Sequence, residues 1–333
     1  MNYIGSKYSL LPFLEQTIAD VVACSASGGV FADLFAGTGA VAGTFKRKGY
    51  RVIANDIQHY AYTLNRHYVE NVPPIAAERL DWLNSLDGED GFVYNNYCAG
   101  SGSGRNYFTD ENGRKCDAIR SALNRLFDGG EIGEDEYYYY LAGLINSIDK
   151  VANTASVYGA YLKHVKASAA KPLALELPPL VDGERGKAFC ADISEVIRKV
   201  RGDVLYLDPP YNARQYCSNY HVLETISRYD IPTLNGVTGL RDSEADGQKS
   251  AFCSKRTVAA VFEDVMANAD FKYIFLSYNN EGLMSLDTIR DIMERHGKYE
   301  QFTQGYHRFR ADKEDARNHK ADSTVEYLHV CVR

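Results

Sequence analysis

The sequence predicts an α/β fold, and three observations carry that expectation. Short apolar runs, Val30–Phe35, Arg51–Ala54 and Val204–Leu207, read as buried strands and alternate with stretches whose apolar residues recur at helical spacing. The first run passes straight into Ala36-Gly37-Thr38-Gly39 and then a helical stretch, the glycine turn typical of a strand that meets a ligand. Each run also carries or delivers a carboxylate: Asp33, Asp56 and Asp208. In an open α/β sheet the carboxyl ends of the strands border the ligand crevice, so these acids mark one edge.

The elements follow in order. Leu10, Leu14, Ile18, Val21 and Val22 predict an amphipathic helix, with Ser9 as its cap and Pro12 in its first turn, and Cys24–Gly29 break it. After the glycine turn a helix runs from about Ala40 to Lys48, ended by Gly49, and another follows Asn55-Asp56 through Tyr68. From Val72 the chain turns rich in Asn, Gly and Tyr, with helices expected over Cys116–Phe127 and Glu134–Val151 before Pro172, Pro178 and Pro179 interrupt. The sheet resumes at Ala188–Cys190, continues with the Asp208 strand and Lys272–Ser277, and closes with an antiparallel pair, Tyr299–Phe309 and Val325–Val332, linked by the charged segment Arg310–Asp322. A helix is expected near Tyr220–Tyr229. The expected organisation is a discontinuous catalytic domain (1–71 and 185–333), a largely helical insertion (72–184) and a mobile loop (232–255).

Composition sets bounds. The 333 residues are 45% hydrophobic and 24% charged, ordinary for a globular protein. No apolar run approaches bilayer length and the N-terminus carries no signal-type segment, so a soluble, cytoplasmic protein is expected. Seven scattered cysteines never form a paired metal knuckle, which argues against zinc and disulfides. The net charge of −7 disfavours a nucleic-acid partner only on average. From Lys150 to Leu175 there is no acid, while Lys150, Lys163, Lys166 and Lys171 are present with Tyr158 and Tyr161 between them, the makings of a cationic, aromatic binding face. A solvated helix face with structural tyrosines is the competing interpretation.

The stretch Asp208-Pro209-Pro210-Tyr211 is a stiff, polar-tipped corner, since proline fixes its own φ and restrains the residue before it. Gly37 and Gly39 with Asp56 fit a dinucleotide as well as another adenosine cofactor. Asp33 and Asp192 tip the balance. A carboxylate before the glycines repels a pyrophosphate but pairs with an α-amino group, and Asp192 suits an adenine amino group. A cofactor with an amino-acid tail, ribose and adenine uses all three acids: S-adenosylmethionine.

With these motifs in chain order, the sequence resembles the Dam-like adenine-N6 DNA methyltransferases, including those that accompany type II restriction enzymes. Tyr3-Ile4-Gly5-Ser6-Lys7 is similar to the N-terminal cofactor motif of that class, and Phe31–Gly39 to its first motif. Asn55-Asp56 matches the ribose acid, Asp192 the adenine-side acid, Asp208–Tyr211 the catalytic tetrad, and Ser277-Tyr278-Asn279 a later strand motif. The resemblance implies a Rossmann-like S-adenosylmethionine-dependent methyltransferase fold with a mixed sheet and a helical DNA-recognition insertion. It implies transfer of a methyl group to N6 of a flipped-out adenine in double-stranded DNA, with a cognate restriction endonuclease as a possible partner. Catalysis then falls to Asp208, Pro209, Pro210 and Tyr211, and cofactor binding to Tyr3, Lys7, Asp33, Phe35, Gly37, Gly39, Asp56, Ile57, Asp192 and Ile193. DNA contacts fall to Lys150, Tyr158, Tyr161, Lys163 and Lys166. An RNA adenine methyltransferase would share the tetrad, and a nicotinamide-dependent oxidoreductase rests on Gly37, Gly39 and Asp56 alone.

Overall fold

Buried apolar runs become strands, and the acids that follow them become the rim of a sheet. The computed structural model describes residues 3–22, 28–242, 247–307 and 323–333. In chain order its strands are β1 (Val30–Asp33), β2 (Arg51–Asn55), β3 (Lys187–Phe189), β4 (Arg201–Leu207), β5 (Leu234–Asn235), β6 (Leu240–Arg241), β7 (Asp270–Asn279), β8 (Lys298–His307) and β9 (Ser323–Val332). The chain divides into two units. One comprises Gly5–Val72, Val181–Tyr216 and Gln248–Arg333, the other Met1–Ile4, Pro73–Leu180 and Cys217–Gly247.

The first unit holds a seven-stranded sheet of order β3-β2-β1-β4-β7-β9-β8. Strands β3, β2, β1, β4 and β7 are parallel, and β9 runs antiparallel to both β7 and β8, so the expected mixed sheet is present. Strand β4 alternates faces: Val204 and Tyr206 pack with the helices Leu11–Val22 and Ala40–Arg47, whereas Leu205 and Leu207 pack with Val258–Asn268 and Leu286–Glu294. Helices therefore cover both faces, and the parallel strands can be apolar throughout. Because those strands share a direction, Asp33, Asp56 and Asp208 emerge along one edge. Helix Leu11–Val22 is preceded by a 3-10 turn, Tyr8–Leu10, rather than capped by Ser9. Gly49 ends Ala40–Arg47 at φ +88°, as its sequence position suggests.

The second unit is built on helices Asp110–Asp128 and Glu134–Lys150, the first capped by the Thr109 side chain on the Asn112 amide. The stripe Tyr137, Tyr140, Leu141, Leu144, Ile145 and Ile148 is buried core. Cys217–Gly247 belongs here too, beyond the boundaries expected from composition. The reason is Arg120, a buried guanidinium that donates to the carbonyls of Ile226 (2.9 Å) and Ser227 (3.0 Å) at the end of helix His221–Arg228. Within the stretch expected to be a loop, β5 and β6 form a hairpin, and Arg105 holds its turn through the carbonyls of Gly236 and Val237. The break at Cys24–Ser27 and the link Arg310–Asp322 lie outside the described residues.

Candidate active site

The glycine turn owes its shape to two neighbours. Gly37 and Gly39 adopt φ +50° and +79°, a region that disfavours side chains. The Gly37 amide donates to Asp56 Oδ2 (2.9 Å), and Asn65 Nδ2 donates to the Gly37 carbonyl (2.9 Å). A Cβ on Gly39 would meet Asn65 Oδ1 at 3.0 Å and Tyr68 Cδ2 at 3.1 Å. Asp56 also accepts from the Gln58 amide (2.9 Å), yet burial pushes its carboxyl up to about 6. Asp33, at the end of β1, is 1% exposed and its Oδ1 has no hydrogen-bond partner among the described residues. Burial, then the charges of Asp208 and Asp56, hold the Asp33 carboxyl well above the usual carboxylate range. A buried carboxylate with one oxygen bare, beside a glycine turn, fits a cationic amino group.

Strand β4 ends at Leu207 and delivers Asp208 directly. Lys7 Nζ lies 2.8 Å from Asp208 Oδ1 and 3.1 Å from Glu326 Oε1, and 5.9 Å from the centre of the Tyr211 ring. Burial pushes the Asp208 carboxyl up to about 6, with the Lys7 ammonium opposing it. Burial by itself would lower Lys7, but Asp208 and Glu326 outweigh it and raise the lysine well above its ordinary value. Gly5 approaches this corner at φ +78°, where a Cβ would meet Tyr216 Oη at 2.8 Å. The Tyr211 carbonyl accepts from the Leu283 amide (3.0 Å), which fixes the tetrad's last residue to the loop after β7.

A family model for the D12 class N6 adenine-specific DNA methyltransferase matches residues 3–292. The chain belongs to this family. It is 52% identical over 333 residues to the type II methyltransferase M.NlaIII of Neisseria lactamica, covering 99% of this chain and 98% of the relative. It is 33% identical to the type II methyltransferase M.CviAII of Paramecium bursaria Chlorella virus 1, covering 93% of each. Against the type II methyltransferase M.FokI of Planomicrobium okeanokoites identity is 39%, covering 89% of this chain but 47% of the relative. The protein is an S-adenosylmethionine-dependent, site-specific DNA adenine-N6 methyltransferase, which retires the RNA and nicotinamide readings.

The first unit of the methyltransferase brings together Lys7, Asp33, Phe35, Gly37, Gly39, Asp56, Ile57, Asp192, Ile193 and the tetrad. Within it Ile193 is 4% exposed and part of the core, and Phe35 is half-buried with its ring edge-on to Phe252. Asp192 caps the short helix Ile193–Val196 through the Ser194 amide (2.9 Å). Tyr3 belongs to the other unit, where its ring stacks on Tyr220 at 4.7 Å. The acid-free segment is only partly a surface. Tyr158 is fully buried and donates to Asp149 Oδ1 (3.0 Å), so it is a core residue, not one presented to DNA. Lys150 pairs with Glu176, the first residue beyond the acid-free run, and Lys166 Nζ donates to the Thr154 carbonyl (2.7 Å). Tyr161 is half-buried and donates to the Gly104 carbonyl (3.0 Å), leaving Lys163 exposed beside His164. Sequence reasoning gave Lys7 to the cofactor and passed over Glu326, for which no local motif signals a role.

Proposed function

We propose that Asp208–Tyr211 receives the target adenine and that the glycine turn with Asp33, Asp56 and Asp192 holds the cofactor. The observation that carries this reading is the half-buried Asp208 carboxylate at the end of β4, gripped by Lys7, on the same edge as Asp33, whose buried Oδ1 has no hydrogen-bond partner among the described residues. The exocyclic nitrogen of adenine is a poor nucleophile because its lone pair is delocalised into the ring. Acceptors on its two hydrogens, the Asp208 carboxylate and the Pro209 carbonyl, favour a pyramidal nitrogen with a directed lone pair. S-adenosylmethionine supplies an electrophilic methyl group on a sulfonium. Asp208 and Pro209 contribute by positioning and electrostatics, and Asp208, with its carboxyl at about 6, is ionised at neutral pH and accepts the proton that the methylated amine sheds.

Tyr211 offers a face for the base, and stacking worth about 1–3 kcal/mol offsets much of the few kcal/mol that flipping costs. Asp33 would pair with the cofactor's ammonium and Asp56 with its ribose hydroxyls. The second unit, with its exposed Lys163, serves DNA recognition in this reading. Relatives named type II methyltransferases favour a restriction endonuclease that cuts the same site, in the cytoplasm; among the described residues no helix is long and apolar enough to cross a membrane. Asp208→Ala is expected to abolish methyl transfer to DNA while S-adenosylmethionine still binds, as read by labelled-methyl transfer and calorimetry. Retained transfer would show that Asp208 is dispensable for the chemistry.

A further inference from the structure

At the carboxyl edge one lysine is shared by two acids, and only one of them belongs to the tetrad. Lys7 is 6% exposed, and its ammonium lies 2.8 Å from Asp208 and 3.1 Å from Glu326, itself 1% exposed. Glu326 comes from β9, in register with Asn279 of β7, so the antiparallel strand returns a carboxylate to the edge where the parallel strands end. Ser277 Oγ donates to Glu326 Oε1 at 2.5 Å, and Oε2 has no hydrogen-bond partner among the described residues. A buried carboxylate with a bare oxygen is costly, and a single ammonium cannot neutralise two acids. What Glu326 adds is direction: a lysine ammonium is a point charge on a flexible stem, and a second acceptor fixes which way it faces.

We propose that Glu326 is a positioning residue for methyl transfer: it shares the Lys7 ammonium with Asp208 and so fixes how the Asp208 carboxylate meets the target amine. The proposal rests on the assignment of the tetrad as the adenine site. The charged and titratable groups around Asp208 are Lys7 from the N-terminal segment, Glu326 on β9, Asp33 on β1 with Asp56 behind it, Tyr206 within β4, and Tyr211. Among them Glu326 repels a charge on Asp208, whereas Lys7 favours it.

The test is the single-turnover rate of methylation against pH, with the full chain, double-stranded DNA and saturating S-adenosylmethionine, for the wild type, Glu326→Gln, Glu326→Ala and Asp208→Asn. Glu326→Gln removes the repelling charge and is expected to move the acid limb of the profile to lower pH. Glu326→Ala frees the lysine and is expected to slow the step by about tenfold to a hundredfold, the scale of a misplaced reacting group, with cofactor affinity unchanged. A lowered Tm with wild-type rate and profile would reduce Glu326 to packing and overturn the proposal. If Asp208→Asn is active, the tetrad reading falls and the proposal with it; if Asp208→Asn is dead and both Glu326 variants match the wild type, only the proposal falls. Should the Glu326 variants fail to fold, Ser277→Ala loosens the same carboxylate and is expected to slow the step several-fold, a wild-type rate again overturning it.

Discussion

Asp33, Asp56 and Asp208 are each more proton-loving in the folded protein than in an unfolded chain, chiefly because burial penalises their charge. For such groups the stabilising contribution is full below the ordinary carboxylate range and is lost as pH rises through the folded value, about 6 for Asp56 and Asp208. At neutral pH the cofactor-free site therefore carries the cost of charging buried carboxylates. A ligand with a sulfonium and an ammonium relieves it. The rise in Tm on saturation with S-adenosylmethionine is accordingly expected to be larger at about pH 7.5 than at about pH 5, measured by thermal unfolding. An equal or smaller rise at the higher pH would mean that these acids do not hold the cofactor's positive charge.

The turn between β1 and helix Ala40–Arg47 works as an element because glycine permits a left-handed backbone against Asn65 and Tyr68. Gly39→Ala adds a Cβ at φ +79° with neighbours at 3.0 and 3.1 Å. The substitution is expected to cost about 1–2 kcal/mol of stability and to weaken cofactor binding, checked by denaturant titration and calorimetry. This turn was legible in the sequence, as were β1, β2 and β4, because apolar runs that end in Gly or Asp carry their own punctuation. The β5–β6 hairpin was not, since two-residue strands have no periodicity to read. Glu326 escaped notice for another reason: it reaches the site through the pairing of β9 with β7, and pairing leaves no local mark on the chain.

Across the whole molecule, the net charge of −7 does not say where the lysines sit. The lysine-rich segment suggested a DNA face from composition, but composition cannot tell an exposed tyrosine from a buried one. Tyr158 fills the core of the second unit, where Tyr107 Oη donates to its carbonyl (2.7 Å) and its own hydroxyl meets Asp149. Tyr158→Ala is thus expected to cost about 3–5 kcal/mol of stability, as other large aromatic truncations do. Lys163→Ala is expected to leave stability alone and reduce the slope of log affinity against log salt by about 1, read by DNA-binding titrations. An unchanged slope would return Lys163 to an ordinary solvated lysine.

The most direct test of adenine methylation at the tetrad is nucleoside analysis of double-stranded DNA after incubation with the protein and methyl-labelled S-adenosylmethionine. Label is expected in N6-methyladenine, confined to one sequence context, and absent with Asp208→Ala. Label in N4-methylcytosine, or undiminished N6-methyladenine from the Asp208 variant, would contradict the chemistry assigned to this site.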